Sequence, residues 1–199
     1  MKRTLITVIW IAMLVAARGA DITTTYHFSP NLLHEANPIV SVLGAGWTAL
    51  LVPNILLCVF IILCTIAYWR AKPYCSIIPQ AQSPWDFAAF CLYGKKMTKV
   101  EYIRRRFLSI SLPPKGQRSI LWQLMGFAMP PVITVGSLLA VFAWYATRAW
   151  HLPWFVHLHA HLNYALLLVP CLFVWIMMES IFFASEYRRS CSVDTAGTP

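Results

Sequence analysis

The sequence predicts an all-α fold: a four-helix transmembrane bundle with both termini cytoplasmic and a basic cytoplasmic loop that carries short amphipathic helices. Of the 199 residues, 59% are hydrophobic and 12% are charged, which excludes a water-soluble globule of ordinary composition. A bilayer core needs about 20 apolar residues in a helix, so three of the charge-free runs are long enough to span it unaided. We therefore treat residues 1–199 as a single integral membrane domain. The four charge-free runs hold 107 residues and cover 4–17, 36–69, 119–147 and 149–178.

The basic residues are distributed unequally along the chain. Fourteen of the 16 Lys and Arg residues precede the first apolar run, lie in the loop 70–118 or follow the last run. With four spans these three segments share one side of the membrane, and only Arg18 and Arg148 fall elsewhere. The positive-inside rule then places both termini and the loop in the cytoplasm, which predicts an inner (plasma) membrane location. Because this bias accounts for the net charge of +9, we expect contact with the lipid bilayer and no nucleic-acid partner.

The first apolar segment follows Lys2 and Arg3 and is similar to a secretory signal peptide. Arg18 and Asp21 interrupt it, but a helix can continue through both and place them three residues apart, where they can form an ion pair. Cleavage would leave three spans and divide the basic segments between the two sides of the membrane. We therefore predict an uncleaved first span over about 3–28.

The remaining spans are predicted at about 47–69, 119–147 and 154–185. Residues 38–46, which follow a strong helix start at Asn37 and Pro38, are expected to form an interfacial or re-entrant turn. The Pro130-Pro131 pair should kink the third span. In lipid the carbonyls that lose their donors need other partners, so this face is expected to turn toward other helices.

Two capping sequences predict helices within the cytoplasmic loop 70–118. Ser83 with Asp86 opens a helix that ends near Gly94, and Thr98 with Glu101 opens a second helix. The second helix carries apolar residues on one side and a basic run that faces lipid in an amphipathic interpretation. A solvated, merely charged connector is the alternative. The basic run consists of Arg104, Arg105 and Arg106.

Six cysteines raise the question of disulfides. The predicted topology places Cys75, Cys91 and Cys191 on the reducing side and the other three inside spans, so we expect reduced thiols.

All six histidines fall at the predicted external end of the bundle. On a helix, His157 and His161 share a face while His159 points away. Imidazole pairs at this spacing bind zinc, copper or haem iron, and ligands from the first hairpin would complete such a site. The alternative is an interfacial polar belt that binds nothing. The candidate metal ligands are His157, His161, His34, Glu35 and His27.

Several polar side chains fall inside the predicted spans, where an ionisable group needs a partner or a role. Asp21 can be neutralised by Arg18, and Glu179 lies near enough to Arg188 and Arg189 to extend toward them. The intramembrane polar residues are Arg18, Asp21, Thr24, Thr25 and Glu179.

The end of the first span and the start of the second resemble a family of small prokaryotic integral membrane proteins of unassigned function. Its members share an Asp-x-x-Thr segment and a Glu-x-Asn-Pro segment, and the likeness covers residues 4–69. The resemblance implies a four-helix membrane fold with the motif residues grouped at the external face, and it implies no reaction. The long basic loop and the histidine segment depart from the shared pattern. The matching residues are Asp21, Thr24, Glu35, Asn37 and Pro38.

No glycine-rich phosphate loop, GxSxG elbow or HExxH helix occurs in the sequence, which favours a non-catalytic protein. The leading hypothesis is a small membrane subunit or accessory factor that binds a larger membrane complex or forms a homo-oligomer. The main alternative is a protein that binds metal or haem through the external histidines, for redox chemistry or metal delivery. A solute transporter is a third hypothesis, weakened because no repeated half is visible.

Overall fold

The computed structural model describes residues 2–32, 46–72, 81–108 and 113–196. Within these ranges the chain is helical and forms no β-strand. A 3₁₀ turn at Lys115–Gln117 precedes the fifth helix, and a π-helical turn at Tyr145–Ala149 follows it. The α-helices are α1 (Lys2–Phe28), α2 (Trp47–Arg70), α3 (Pro84–Tyr93), α4 (Lys99–Leu108), α5 (Ser119–Trp144) and α6 (Pro153–Ala196).

Four of these helices, α1, α2, α5 and α6, are long and apolar enough to cross a membrane. This finding confirms the predicted all-α, multi-pass architecture, and α1 and α2 match the first two predicted spans to within one residue. The predicted turn at 38–46 falls largely outside the described residues.

Helix α6 is longer than predicted. It continues to Ala196 instead of ending near 185, and Leu162 interrupts it with non-helical backbone angles. Its 44 residues would extend about 66 Å as a straight helix, whereas the hydrocarbon core is about 30 Å thick. Part of α6 must therefore lie outside the hydrocarbon core of the bilayer.

Backbone contacts divide the chain into two compact units. The first unit comprises Met1–Leu63 and Met129–Trp175, and the second comprises Cys64–Ala128 and Ile176–Pro199. Helix α1 belongs to the first unit and helices α3 and α4 to the second, whereas α2, α5 and α6 each contribute residues to both.

In the first unit, α1 packs through one narrow stripe. Thr7, Leu14, Ala17 and Thr24 are buried and recur at intervals of three or seven residues, the spacing of a single helical face. Small and hydroxyl-bearing residues on such a stripe allow close helix approach in lipid. The rest of the helix surface exposes large apolar side chains, among them Leu5, Ile6, Val8, Ile9, Met13 and Val15.

In the second unit, α5 approaches α2 closely at Gly126. A Cβ atom there would overlap the backbone carbonyl of Cys64 and lie 2.7 Å from the Thr65 nitrogen. Pro130 has no N–H to donate to the Gly126 carbonyl, as the residue four positions later does in a regular helix. The Thr65 hydroxyl donates to this carbonyl instead, at 2.9 Å. The prediction that a carbonyl freed by the proline pair finds a partner on another helix is therefore confirmed for the Gly126 carbonyl.

The second unit also has an aromatic core and capped short helices. The rings of Tyr68, Phe127 and Phe182 lie 5.3–5.7 Å apart between centroids. The Ser83 hydroxyl accepts a hydrogen bond from the Asp86 amide at 3.2 Å at the start of α3. Gly94, with φ of +70°, ends the helix in the left-handed conformation that glycine tolerates. The Thr98 hydroxyl accepts from the Glu101 amide in the same way at α4, at 3.2 Å.

Candidate functional site

Arg18 is the centre of a polar cluster in the first unit. Its Nη1 atom donates to the Asp21 carboxylate at 2.7 Å and to the Ser137 hydroxyl at 3.1 Å. Its Nη2 atom donates to the side-chain carbonyl of Asn54. One guanidinium therefore joins α1 to α2 and α5, and the predicted ion pair with Asp21 is present.

The cluster satisfies most of the hydrogen-bonding capacity of the guanidinium. Arg18 and Asp21 are largely buried, with 19% and 16% of their side-chain surfaces exposed. The Nε atom of Arg18 is buried without a protein partner. Because an unpaired charge is costly in an apolar environment, the first chemical role of this cluster is to neutralise Arg18 and to fix the helices around it.

The two threonines of the predicted polar set are also buried on α1. The Thr25 hydroxyl accepts a hydrogen bond from the Trp144 indole nitrogen at 3.2 Å. Nearby, the rings of Phe28 and Trp144 stack with an angle of 9° between their planes. These contacts hold the end of α1 against the end of α5, so Thr25 has a structural partner.

Glu179 is the centre of a second polar cluster, which we call the α4 clasp and define as Tyr102, Arg106 and Glu179. The Arg106 Nε atom lies 2.7 Å from one carboxylate oxygen, and Nη2 lies 2.9 Å from the other. The Tyr102 hydroxyl donates to the first oxygen at 3.0 Å. Two parallel bonds between a guanidinium and a carboxylate form a strong and directional pair. The clasp therefore fastens α4 to α6.

The clasp changes the acidity of its members on α4. Burial raises the pKa of the Tyr102 hydroxyl, and the adjacent Glu179 charge raises it further. Burial lowers the pKa of Arg106, but the hydrogen bonds and charge of Glu179 outweigh it, so the net pKa is raised. Tyr102 therefore stays a proton donor and Arg106 stays charged throughout the physiological range.

The clasp corrects two sequence expectations. Arg106 was grouped with Arg104 and Arg105 as lipid-facing, but its guanidinium binds Glu179. The sequence also predicts that the Glu179 side chain extends toward Arg188 and Arg189 on the same helix. Arg189 instead donates to Glu186 at 3.3 Å and to the carbonyl of Ala71 at 2.7 Å. Each buried acid is therefore paired with an arginine, Glu179 with Arg106 on another helix and Glu186 with Arg189 three residues away.

A fully buried thiol lies beside the Glu186 pair. Cys91 has no exposed surface, and burial, with a smaller effect of the Glu186 charge, raises its pKa to about 12. Among the described residues, Cys58, Cys64, Cys91, Cys171 and Cys191 form no disulfide. Since the thiolate is the reactive form, Cys91 is chemically inert in the folded protein.

The histidine segment lies at the start of α6, in the first unit. The rings of His157 and His161 lie 4.7 Å apart between centroids, and both side chains are exposed. His159 points elsewhere, with its ring 5.9 Å from that of Phe155. The predicted shared face of His157 and His161 is therefore present.

The structure does not complete a metal site around this pair. In the ranges it describes, no group of three or more His, Cys, Asp or Glu side chains is arranged to hold a metal ion. His27 is exposed beside Phe28, while His34 and Glu35 lie outside the described residues. Zinc, copper or haem binding through these ligands stays a prediction.

Sequence reasoning missed several members of the two clusters. Asn54 and Ser137 are polar residues within apolar runs, and that contrast was the available signal for them. Tyr102 carries no such signal, because a tyrosine in a loop helix is ordinary. Glu186 was hidden by the neighbouring Arg188 and Arg189, which make it look like part of a solvated tail.

The comparisons with known proteins add no family. No protein-family model, curated protein or solved structure matches this chain. The family resemblance therefore stays a prediction. Two of its residues are described: Asp21 is paired with Arg18 and Thr24 is buried on α1. The other three, Glu35, Asn37 and Pro38, lie outside the described residues.

Proposed function

We propose that this protein is a small, non-catalytic integral membrane subunit or accessory factor that binds a larger membrane complex. The observation that carries the proposal is that the charged side chains within the apolar stretches of the long helices are paired inside the protein, whereas the exposed side chains there are mainly apolar. The charged groups within the apolar helices bind one another, as Arg18 does with Asp21. The outward surface of those helices is apolar. Such a protein offers a scaffold surface more than a reaction centre.

The uneven burial of the four long helices supports a partner. In the span window of α5, 44% of the residues are buried, whereas the corresponding share for α1 is 17%. A helix with this little contact inside its own chain has surface left for other helices. Large exposed aromatic residues on the first unit, among them Phe142, Trp154 and Phe173, are residue types that provide much contact area at helix interfaces.

Purification at native expression level in a mild detergent tests the proposal. We expect the chain, of 22.6 kDa, to elute within a larger particle that contains a second membrane protein, or further copies of itself, at a constant ratio. The ratio should persist when the detergent is changed. A chain that is recovered alone in every mild detergent and in lipid particles extracted without detergent would contradict the proposal.

The orientation proposed with this function places both termini and the basic loop in the cytoplasm, at the inner membrane. It is supported by the concentration of Lys and Arg in these segments. Cys191 is partly exposed near the end of α6 and provides the test. A membrane-impermeant thiol reagent should label it only after the cells are opened. Labelling of Cys191 in intact cells would contradict the orientation.

The second candidate function is metal or haem binding, which the contact between His157 and His161 favours. Ligating imidazoles must be neutral, so affinity should fall as the external pH drops below the ordinary histidine pKa of about 6.5. Replacing His157 and His161 together with alanine should abolish binding, whereas His159→Ala is the matched control and should leave most of it. Metal analysis and visible absorption of the purified protein provide the measurement. Equal metal content in the wild type and the double variant would contradict this candidate.

A further inference from the structure

The second unit carries most of the exposed positive charge of the described chain. In the first unit Arg148 is exposed, while Arg18 is paired with Asp21. Among the described side chains of the second unit, the exposed acid is Glu101. The surface of this unit is therefore complementary to an anionic partner. Its exposed cations are Arg70, Lys72, Lys95, Lys96, Lys99, Arg104, Arg105, Lys115, Arg118 and Arg188.

The α4 clasp fixes which side of α4 faces outward. Tyr102 and Arg106 are four residues apart, share one helical face and bind Glu179. Successive residues of a helix are separated by about 100° of rotation, so positions 100 and 104 lie on the opposite face and position 103 lies beside them. Val100 and Ile103 are 76% and 40% exposed, and Arg104 is exposed as well. We call these three residues the outer face of α4.

The clasp also sets the level of α4 along the fourth long helix. The charge-free run 149–178 ends at Glu179, which is the first charged residue on α6. The predicted fourth span ends near 185, so Glu179 lies within about 9 Å of the level at which acyl chains give way to lipid headgroups. Because Glu179 binds α4 directly, the clasp holds this short helix close to that level.

We propose that the outer face of α4 binds an anionic lipid surface. Val100 and Ile103 contact the acyl chains nearest the interface, while Arg104 and the neighbouring Arg105 contact lipid phosphates. This arrangement of apolar and basic residues is the one by which interfacial helices bind acidic membranes. The proposal goes beyond the proposed function, because a lipid surface would contact α4 whether or not a protein partner is present.

The arrangement differs from that of a free amphipathic helix. Arg106 and Tyr102 already fix the position of α4, so little conformational freedom is lost when lipid binds. The exposed Val100 would otherwise be an apolar side chain left in water beside the exposed cations Lys99 and Arg104. Contact with lipid removes it from water and pairs the adjacent cations with phosphate.

Hydrogen exchange of the full chain in lipid nanodiscs tests the proposal. The protein is reconstituted in phosphatidylcholine alone and in phosphatidylcholine mixed with phosphatidylglycerol. We expect the amides of 99–108 to exchange more slowly in the discs that contain phosphatidylglycerol. A basic residue near an anionic surface contributes about 1 kcal/mol, so the change expected for Arg104 and Arg105 together is roughly tenfold or more.

Matched variants assign the effect to this face. Arg104→Gln with Arg105→Gln should abolish the difference between the two kinds of disc. Val100→Ser with Ile103→Ser, which keeps every charge, should reduce it several-fold. Lys95→Gln with Lys96→Gln removes the same amount of charge from the same unit but not from α4, and it should leave the difference intact. Tyr102 and Arg106 are untouched in all variants, and an unreactive Cys91 reports that the unit remains folded.

Results of three kinds would overturn the proposal. The first is equal exchange of 99–108 in the two kinds of disc. The second is a loss in the Lys95 and Lys96 variant as large as in the arginine variant, or full retention in the Val100 and Ile103 variant, since charge alone would then bind the lipid. The third is protection by added RNA in phosphatidylcholine discs without any response to phosphatidylglycerol, which would assign the face to nucleic acid.

Discussion

The contacts inside the first unit differ in kind from the contacts inside the second. The first unit buries narrow stripes of small and hydroxyl-bearing residues, leaves large apolar side chains exposed and joins three helices through the single guanidinium of Arg18. The second unit has an aromatic core, a close helix crossing at Gly126 and two ion pairs on buried acids.

This difference teaches how the surroundings of a helix determine its packing. A helix in lipid gains nothing by burying leucine, so association depends on close fit and on polar contacts. A short helix in water must bury apolar surface to remain folded. The first unit has the surface expected of helices solvated by lipid. The second has the core expected where helices meet water, and α3 and α4 add buried side chains to those of α2, α5 and α6.

A series of glycine substitutions tests the difference in packing and has the largest expected effect. Gly126→Ala places a methyl group against the backbone of α2, which cannot rotate away, and should destabilise the protein by about 3 kcal/mol. At Gly136 a Cβ atom meets the Cys171 sulfur at 3.2 Å, a side chain that can adjust, so the loss should be smaller. At Gly19 nothing lies within 4 Å, and alanine should stabilise the helix by up to about 1 kcal/mol.

Thermal unfolding in detergent measures the whole glycine series under one condition. The order predicted for the midpoint is Gly19→Ala highest, then Gly136→Ala, then Gly126→Ala. Equal midpoints for the Gly126 and Gly136 variants would show that the second unit is no more closely packed than the first.

Removing an acid from the second unit gives the next largest effect. Glu179→Gln deprives Arg106 of its bidentate partner, and the cost should be on the order of 2 kcal/mol, because Arg106 is one-third exposed and can recover some solvation. The double variant with Arg106→Gln should recover part of the loss. Hydrogen exchange of 99–108 should rise in the single variant. Unchanged exchange there would mean that the clasp does not hold α4.

The corresponding change in the first unit should cost less. Asp21→Asn leaves Arg18 without its carboxylate, but Ser137 and Asn54 still accept its hydrogen bonds. We expect about 1 kcal/mol of destabilisation and a lower yield of folded protein, with partial recovery when Arg18→Gln is added. A loss larger than that of Glu179→Gln, measured by the same unfolding assay, would reverse the comparison.

The smallest effect concerns thiol reactivity and leaves stability unchanged. Cys91 and Cys191 fall on the same predicted side of the membrane, but Cys91 is fully buried and its pKa is raised to about 12. Below that pH the reactive thiolate fraction falls about tenfold per pH unit. In opened cells at neutral pH, Cys191 should therefore be labelled and Cys91 should not. Labelling of Cys91 at the rate of Cys191 would show that the buried face of α3 is open to the reagent.

Local sequence features predicted the elements of this structure that depend on local physics. The spans follow from the length of charge-free runs, and α3 and α4 follow from the caps at Ser83 and Thr98. The pairing of Arg18 with Asp21 follows from a separation of three residues on one helix. Each of these properties is contained within a few turns of chain.

Local sequence features could not predict the contacts between segments that are distant in the chain. Arg106 and Glu179 are 73 residues apart, and a run of three arginines does not indicate which one turns inward. The extension of α6 was missed because its charged residues were taken to mark the end of the helix. Phe182, Phe183 and Glu186 are instead buried on one face, where the ring of Phe87 on α3 packs 5.9 Å from that of Tyr187.

The central claim is that the apolar surface of the first unit faces a protein partner. Site-specific photo-crosslinking in membranes tests it most directly, with a photoreactive amino acid at Val8, Leu168 or Phe173, all exposed on that unit. Lys95, exposed on the second unit, is the control position. We predict a discrete adduct, of one partner protein or of a second copy of the chain, from at least one first-unit position and none from Lys95. Adducts with lipid alone at Val8, Leu168 and Phe173 would contradict the claim.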